Sequence, residues 1–105
     1  MKALFYPDFP ELELYTIVAV FNRLNYFATT DIHGEYDFVV SWQDKTWVEN
    51  DSFLKDISRK KPVINLNCND ISKHKVDELF GQLAGYTCVV DPLSYHGKMV
   101  VKPNE

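Results

Sequence analysis

The chain has 105 residues, of which 46% are hydrophobic and 14% aromatic, which is enough for the core of one small domain and too apolar for a disordered tail. A formal net charge of −4 argues against nucleic acid as the main partner. No apolar run approaches the roughly 20 residues of a membrane span, and Asp8 interrupts the opening apolar run too soon for a secretory signal. We therefore expect a cytoplasmic protein with neither a membrane nor a nucleic acid as partner.

The first half of the chain predicts strands that alternate with helices. Residues 2–6 have the composition of a strand, which ends at a proline. Apolar residues then recur three and four positions apart over residues 14–24, which predicts an amphipathic helix. Residues 26–29 favour a short second strand. Residues 36–42 predict a further strand, and their mostly apolar composition indicates burial on both faces of a sheet.

A second helix and a fourth strand follow. The polar residues Asn50, Asp51 and Ser52 are suitable caps for a helix that ends at the basic residues 59–61. Residues 62–68 then predict another strand. Because strands and helices alternate, residues 1–68 are expected to form an α/β domain with a small open parallel sheet and flanking helices.

The remaining residues, 69–105, predict a linker helix and a terminal β-hairpin. Ser72 can begin a helix whose apolar positions continue to Ala84, and Gly85 stands where a C-terminal cap is expected. Residues 87–90 and 98–102 have the composition of two strands, and the seven residues between them suit an antiparallel connection.

The charge is unevenly divided between the two halves. Residues 1–50 carry a formal net charge of −5, whereas residues 51–105 carry +1. A phosphate-bearing ligand should therefore prefer the second half, where four lysines fall close to the predicted helix and hairpin: Lys73, Lys75, Lys98 and Lys102.

Several common site motifs are missing from the sequence. The first strand is followed by Pro7-Asp8-Phe9-Pro10 in place of a glycine-rich phosphate loop, and the three histidines are too far apart to suggest a metal site. Cys68 and Cys88 have neither disulfide-scaffold density nor zinc-site spacing, so we interpret them as reduced, buried thiols.

Two other groups have structural interpretations as well as functional ones. Asp31, Glu35 and Asp37 are interpreted as a solvated acidic loop in preference to a magnesium site. Trp42 and Trp47 are interpreted as packing residues in preference to a ligand platform.

The order of short motifs in the second half carries more information than any one of them. A strand with asparagines precedes Ser72-Lys73-His74-Lys75 at the start of a helix, Ala84-Gly85 ends that helix, and a hydrophobic run closes on Val100-Val101-Lys102-Pro103. In this order and spacing, residues 65–103 resemble the entry into an ATP-grasp domain. Residues 1–68 are similar in plan to the open parallel sheet that precedes such domains.

The resemblance implies a function for the second half. Lys102 would contact the α/β-phosphates or the adenine side of ATP, and Lys73 or Lys75 would be a second basic contact from the helix. The chain would be the N-terminal portion of a carboxylate–amine ligase that uses ATP and magnesium when complete. No catalytic residue and no metal ligand are expected in these 105 residues, which we expect to be inactive and without cofactor by themselves.

The resemblance also implies a partner for the chain, and the ligase interpretation has an alternative. The partner would be the remainder of an ATP-grasp domain, or a second copy of the chain that pairs through the C-terminal strand. The alternative is a self-contained α/β binding or interaction module without catalysis. A self-contained module predicts that the last strand is paired within the chain and that Lys102 is exposed. The ligase interpretation predicts an unpaired edge or an exposed apolar face around residues 99–101.

Overall fold

The computed structural model describes residues 1–11, 13–49 and 51–104. The chain divides into two compact units, Met1–Asn69 and Asp70–Glu105.

The first unit contains a four-stranded sheet in which every neighbouring pair of strands is parallel. The strand order is β2-β1-β3-β4, and Leu4 of β1 stands opposite Val39 of β3 in the register. The predicted small parallel α/β sheet is thus confirmed. Its strands are β1 (Lys2–Pro7), β2 (Phe27–Thr29), β3 (Phe38–Trp42) and β4 (Val63–Ile64).

The two central strands bury side chains on both faces of the sheet, because successive residues of a strand point in opposite directions. On one face Leu4 and Val39 pack with Leu54 of helix α2 (Ser52–Ser58). On the other face Phe5 and Val40 are covered by two residues of helix α1 (Thr16–Leu24), Ile17 and Phe21. The expected burial of the third strand on both faces is confirmed, since Val39 and Val40 are fully buried.

The start of α2 follows the capping chemistry that its sequence predicts. Asp51 is the N-cap, and its side chain accepts a hydrogen bond from the backbone N–H of Phe53 at 2.6 Å. Asn50, the other predicted cap, lies outside the described residues.

The second unit is built around helix α3 (Lys73–Ala84). Ser72 is its N-cap and accepts from the backbone N–H of Lys75 at 3.3 Å. Gly85 is its C-cap with a φ of 80°, a left-handed conformation that glycine adopts without steric cost. The predicted helix and its predicted C-cap at Gly85 are therefore present, and the structure adds Ser72 as the N-cap.

The terminal β-hairpin is not confirmed. The described residues after α3, 85–104, form no strand. A turn occupies part of the predicted connection, where the backbone N–H groups of Ser94 and Tyr95 donate to the carbonyl of Asp91. The apolar runs on both sides of this turn have strand composition, but they form no hydrogen-bonded ladder with each other, and such a ladder is what defines a hairpin.

Two further outcomes concern cysteines and membranes. Cys68 and Cys88 are free thiols, but both are exposed, so the expectation that they are buried is wrong. Cys68 follows a turn after the two-residue strand β4, which is shorter than the predicted strand and carries the thiol out of the sheet. Among the described residues no helix is both long and apolar enough to cross a bilayer.

Candidate functional site

The three lysines that the resemblance assigns to ATP are Lys73, Lys75 and Lys102. All three belong to the second unit, and the structure relates them through the N-terminus of α3. Lys73 and Lys75 lie in its first turn. The side-chain oxygen of Asn104 accepts a hydrogen bond from the backbone N–H of His74 at 2.8 Å. Lys102 is two residues before Asn104, so its Cα lies within about 7 Å of that of Asn104. The chain thus returns to the start of α3 directly after Lys102.

The start of α3 is held in place by a short network of polar groups. Asp70 accepts a hydrogen bond from the backbone N–H of Ser72 at 2.9 Å. Hydrogen bonds from Ser72 lower the pKa of the Asp70 carboxyl, with smaller contributions from the charges of Lys75 and His74. Ser72 is the only buried residue among the described residues of this unit, 70–104, and its hydroxyl is used for the helix cap. The network orders this end of the helix without an apolar core.

The side chains of the three lysines differ in their surroundings. Lys75 is partly buried and its ammonium lies 3.5 Å from a carboxylate oxygen of Glu78, one turn along the helix. Lys73 and Lys102 are exposed to solvent. An exposed ion pair at this spacing contributes only a few tenths of a kcal/mol, ~0.3, so Lys75 can exchange Glu78 for another anion at little cost.

The middle of α3 is tied to the residues that follow the helix. Asp77 accepts hydrogen bonds from the hydroxyl of Thr87 and from the backbone N–H of Cys88, the latter at 2.9 Å. These bonds lower the pKa of the Asp77 carboxyl. The rings of Phe80 and Tyr86 also meet edge to face, with centroids 5.2 Å apart. The polypeptide after the helix is therefore anchored at Asp77 and again at the start of α3 through Asn104.

This arrangement has the chemistry of an anion-binding site. The N-terminus of a helix carries partial positive charge, and lysine side chains nearby add full charges. The amides of His74 and Lys75 already donate to Asn104 and Ser72, so the attraction for an anion comes from the helix dipole and the lysine ammonium groups. A phosphate group is an anion of suitable size and charge for the N-terminus of a helix flanked by lysines. Among residues 1–11, 13–49 and 51–104 there is no group of three His, Cys, Asp or Glu side chains that could hold a metal ion.

Sequence reasoning identified the lysines but missed Asn104. Its role depends on a hydrogen bond to His74, which lies 30 residues earlier in the chain, and no local sequence pattern predicts such a contact. The choice between Lys73 and Lys75 stays open, because both belong to the same turn. Comparison of the chain with protein-family models, with curated proteins and with solved structures found no match.

Proposed function

We propose that this chain is the N-terminal portion of a cytoplasmic, ATP-grasp-like carboxylate–amine ligase, and that it is inactive by itself. Its role is to present Lys102, together with Lys73 or Lys75, to the phosphates of ATP. Its partner is the remainder of an ATP-grasp domain, and in the isolated chain a second copy can take that place. The proposal assigns no binding of nucleic acid or membranes.

The observation that carries this proposal is the state of the segment before Lys102. Val100 and Val101 are 79% and 87% exposed, and they belong to no strand. Adjacent apolar residues of high β-propensity that remain unpaired and in water are typical of a strand that pairs with another polypeptide segment. The rival interpretation, a self-contained binding module, requires this strand to be paired within the chain, which it is not. Its other prediction, an exposed Lys102, agrees with the structure.

The apolar face of α3 supports the same conclusion. None of the twelve residues of α3 is buried, although its apolar residues include Leu83, which is 91% exposed, and Leu79, which is 47% exposed. An amphipathic helix normally buries such a stripe, because most helical stability in proteins comes from packing of that face. The second unit therefore has the properties of part of a larger domain.

The chemistry follows from the resemblance in the second half of the chain. In the complete enzyme a carboxylate oxygen of the substrate attacks the γ-phosphorus of ATP, ADP leaves, and an amine then displaces phosphate from the acyl phosphate. Catalysis of phosphoryl transfer consists almost entirely of positioning and of charge stabilisation. The lysines of this chain supply positive charge to the phosphates, and the proposal assigns no metal ligand to the described residues.

The first test is the gene sequence beyond codon 105. The proposal expects a glycine-rich stretch soon after the Lys-Pro motif and, later, acidic and asparagine side chains suited to magnesium. A stop codon directly after codon 105 would contradict it.

The second test is ATP binding measured by calorimetry. We expect no measurable binding by the 105-residue chain at millimolar nucleotide. In the longer protein, Lys102→Ala should weaken ATP binding at least tenfold, about 1.4 kcal/mol, because a charge-assisted contact is lost. Lys98→Ala is the matched control, since Lys98 is also an exposed lysine of the same segment. Equal effects of the two substitutions, or no effect of Lys102→Ala, would count against a specific role for Lys102.

A further inference from the structure

The sheet of the first unit contains a topological switch point, where parallel sheets characteristically bind ligands. The connection from β1 leads through α1 to β2 on one side, whereas β3 lies on the other side of β1. The strand order therefore reverses between β1 and β3. In open α/β sheets ligands bind in the crevice outside the carboxyl ends of the strands at such a switch point.

An open cleft of about 640 Å³ lies at this edge of the sheet. Its walls come from the residues that follow β1, from the start of α1 and from the carboxyl end of β3. They combine aromatic rings with carboxylates, and no basic side chain lines the cleft among the described residues. The aromatic lining residues are Phe9, Tyr15 and Trp42, and the acidic ones are Asp8, Glu11 and Asp44.

Contacts within the unit hold two walls of the cleft in place. The hydroxyl of Tyr15 donates to a carboxylate oxygen of Asp44 at 3.0 Å, and this bond raises the pKa of the tyrosine. The Tyr15 ring meets Trp42 nearly perpendicularly, with centroids 5.1 Å apart. The backbone N–H of Asp8 donates to the carbonyl of Trp42 at 3.2 Å. The Asp44 carboxylate and the Asp8 backbone are thus held beside rings that are themselves packed against each other.

The core of the unit extends these contacts. Phe5, which is 3% exposed, packs edge to face against both Phe9 and Trp42, with centroids 5.4 Å and 6.3 Å away. Trp42 is therefore a packing residue, as its sequence position indicates, and it presents its remaining surface to the cleft.

We propose that this cleft binds a small organic cation, namely a protonated amine that carries an apolar or aromatic group. Carboxylates attract the ammonium, aromatic faces attract it through cation–π interaction, and the rings give the apolar part a surface to cover. The same carboxylates repel phosphate and carboxylate ligands. The inference concerns the first unit and does not rest on the proposed ligase function.

The test is a titration of the ¹⁵N-labelled chain with benzylamine, followed by ¹H–¹⁵N spectra. We expect saturable shifts of the Trp42 indole N–H and the Asp8 amide, with a dissociation constant on the order of 1 mM for so small a ligand. The Trp47 indole, whose residue does not line the cleft, should remain unshifted. Benzyl alcohol, which is close in shape but uncharged, should bind at least about fivefold more weakly if the carboxylates contribute about 1 kcal/mol.

Asp8→Asn and Asp44→Asn should each weaken benzylamine binding about threefold to tenfold without changing the fold. At position 44 asparagine keeps an acceptor oxygen for Tyr15, and at position 8 the backbone N–H that donates to Trp42 is retained. Asp56→Asn removes the same negative charge from an exposed residue of α2 and should leave benzylamine binding unchanged. The proposal is overturned by equal binding of benzylamine and benzyl alcohol, by shifts centred away from the cleft, or by an equal loss in Asp56→Asn. The comparison of the two ligands on the unaltered chain holds even if a variant fails to fold.

Discussion

The two units are stabilised by different kinds of interaction. Among the described residues of the first unit, seven hydrophobic residues are buried, and α1 packs on the sheet although no described side chain caps its N-terminus. In the second unit α3 is capped at both ends and tied by Asp77 and Asn104 to later residues, yet it buries none of its own side chains.

This difference shows how far local hydrogen bonding can take the place of a core. Each cap or side-chain hydrogen bond contributes on the order of 1 kcal/mol, whereas complete burial of one leucine contributes about 1.5–3 kcal/mol. We infer that the first unit can fold by itself and that the second unit is ordered mainly by polar contacts until its apolar residues are covered. Three experiments can sharpen or contradict this contrast.

The largest expected effect is a difference in the free energy of unfolding between substitutions of a buried leucine and an exposed leucine. Leu4→Ala removes a fully buried side chain of the first unit and should lower the free energy of unfolding by about 2–5 kcal/mol. Leu83→Ala makes the same chemical change at a 91% exposed position of α3 and should cost less than about 0.5 kcal/mol. Urea unfolding monitored by tryptophan fluorescence measures the Leu4→Ala value, because both tryptophans lie in the first unit. Amide exchange across α3 measures the Leu83→Ala value in the second unit.

The Leu83→Ala chain also tests whether the apolar face of α3 is uncovered within the chain. Circular dichroism should show that the helix content of the Leu83→Ala chain is unchanged, since alanine is a good helix former. If Leu83→Ala were as destabilising as Leu4→Ala in dilute, monomeric protein, the apolar face of α3 would be covered within the chain, and the contrast would be wrong.

An intermediate effect is expected at the start of α3. Ser72→Ala removes the hydroxyl that accepts from the Lys75 N–H and should destabilise the helix by about 1 kcal/mol. Because no buried apolar residue of α3 compensates, this loss should appear as faster amide exchange across the helix. Ser94→Ala, at an exposed serine of the same unit, should leave exchange in α3 unchanged. Unaltered exchange after Ser72→Ala would show that the cap is unimportant.

The smallest expected effect concerns the pH dependence of the Asp77 contacts. The hydrogen bonds from Thr87 and Cys88 favour the ionised carboxylate and depress its folded-state pKa below the ordinary value of 3.8. Their contribution to stability is therefore complete above 3.8 and is lost as the pH falls through the lower, folded-state pKa. The Cys88 amide shift should titrate with a midpoint below 3.8, and Asp77→Asn should abolish that titration. A midpoint at or above 3.8 would contradict the bonding described.

How much the sequence predicts differs between neighbouring segments of the second unit. The limits of α3 are predictable residue by residue, because Ser72 and Gly85 act on the backbone groups beside them. The strands expected over 87–90 and 98–102 are absent, because strand composition produces a ladder only where a partner supplies matching N–H and C=O groups. The exposure of Cys68 escaped prediction because it depends on where β4 ends.

The sequence by itself determined the alternating elements, the caps of α2 and α3, and the parallel sheet. These follow from apolar periodicity and from side chains that bond to nearby backbone. Only the tertiary structure decided which residues gather at the carboxyl edge of the sheet, that Asn104 returns to His74, and that the residues around Val100 remain unpaired. Such arrangements depend on contacts between distant parts of the chain, and a local pattern does not encode them.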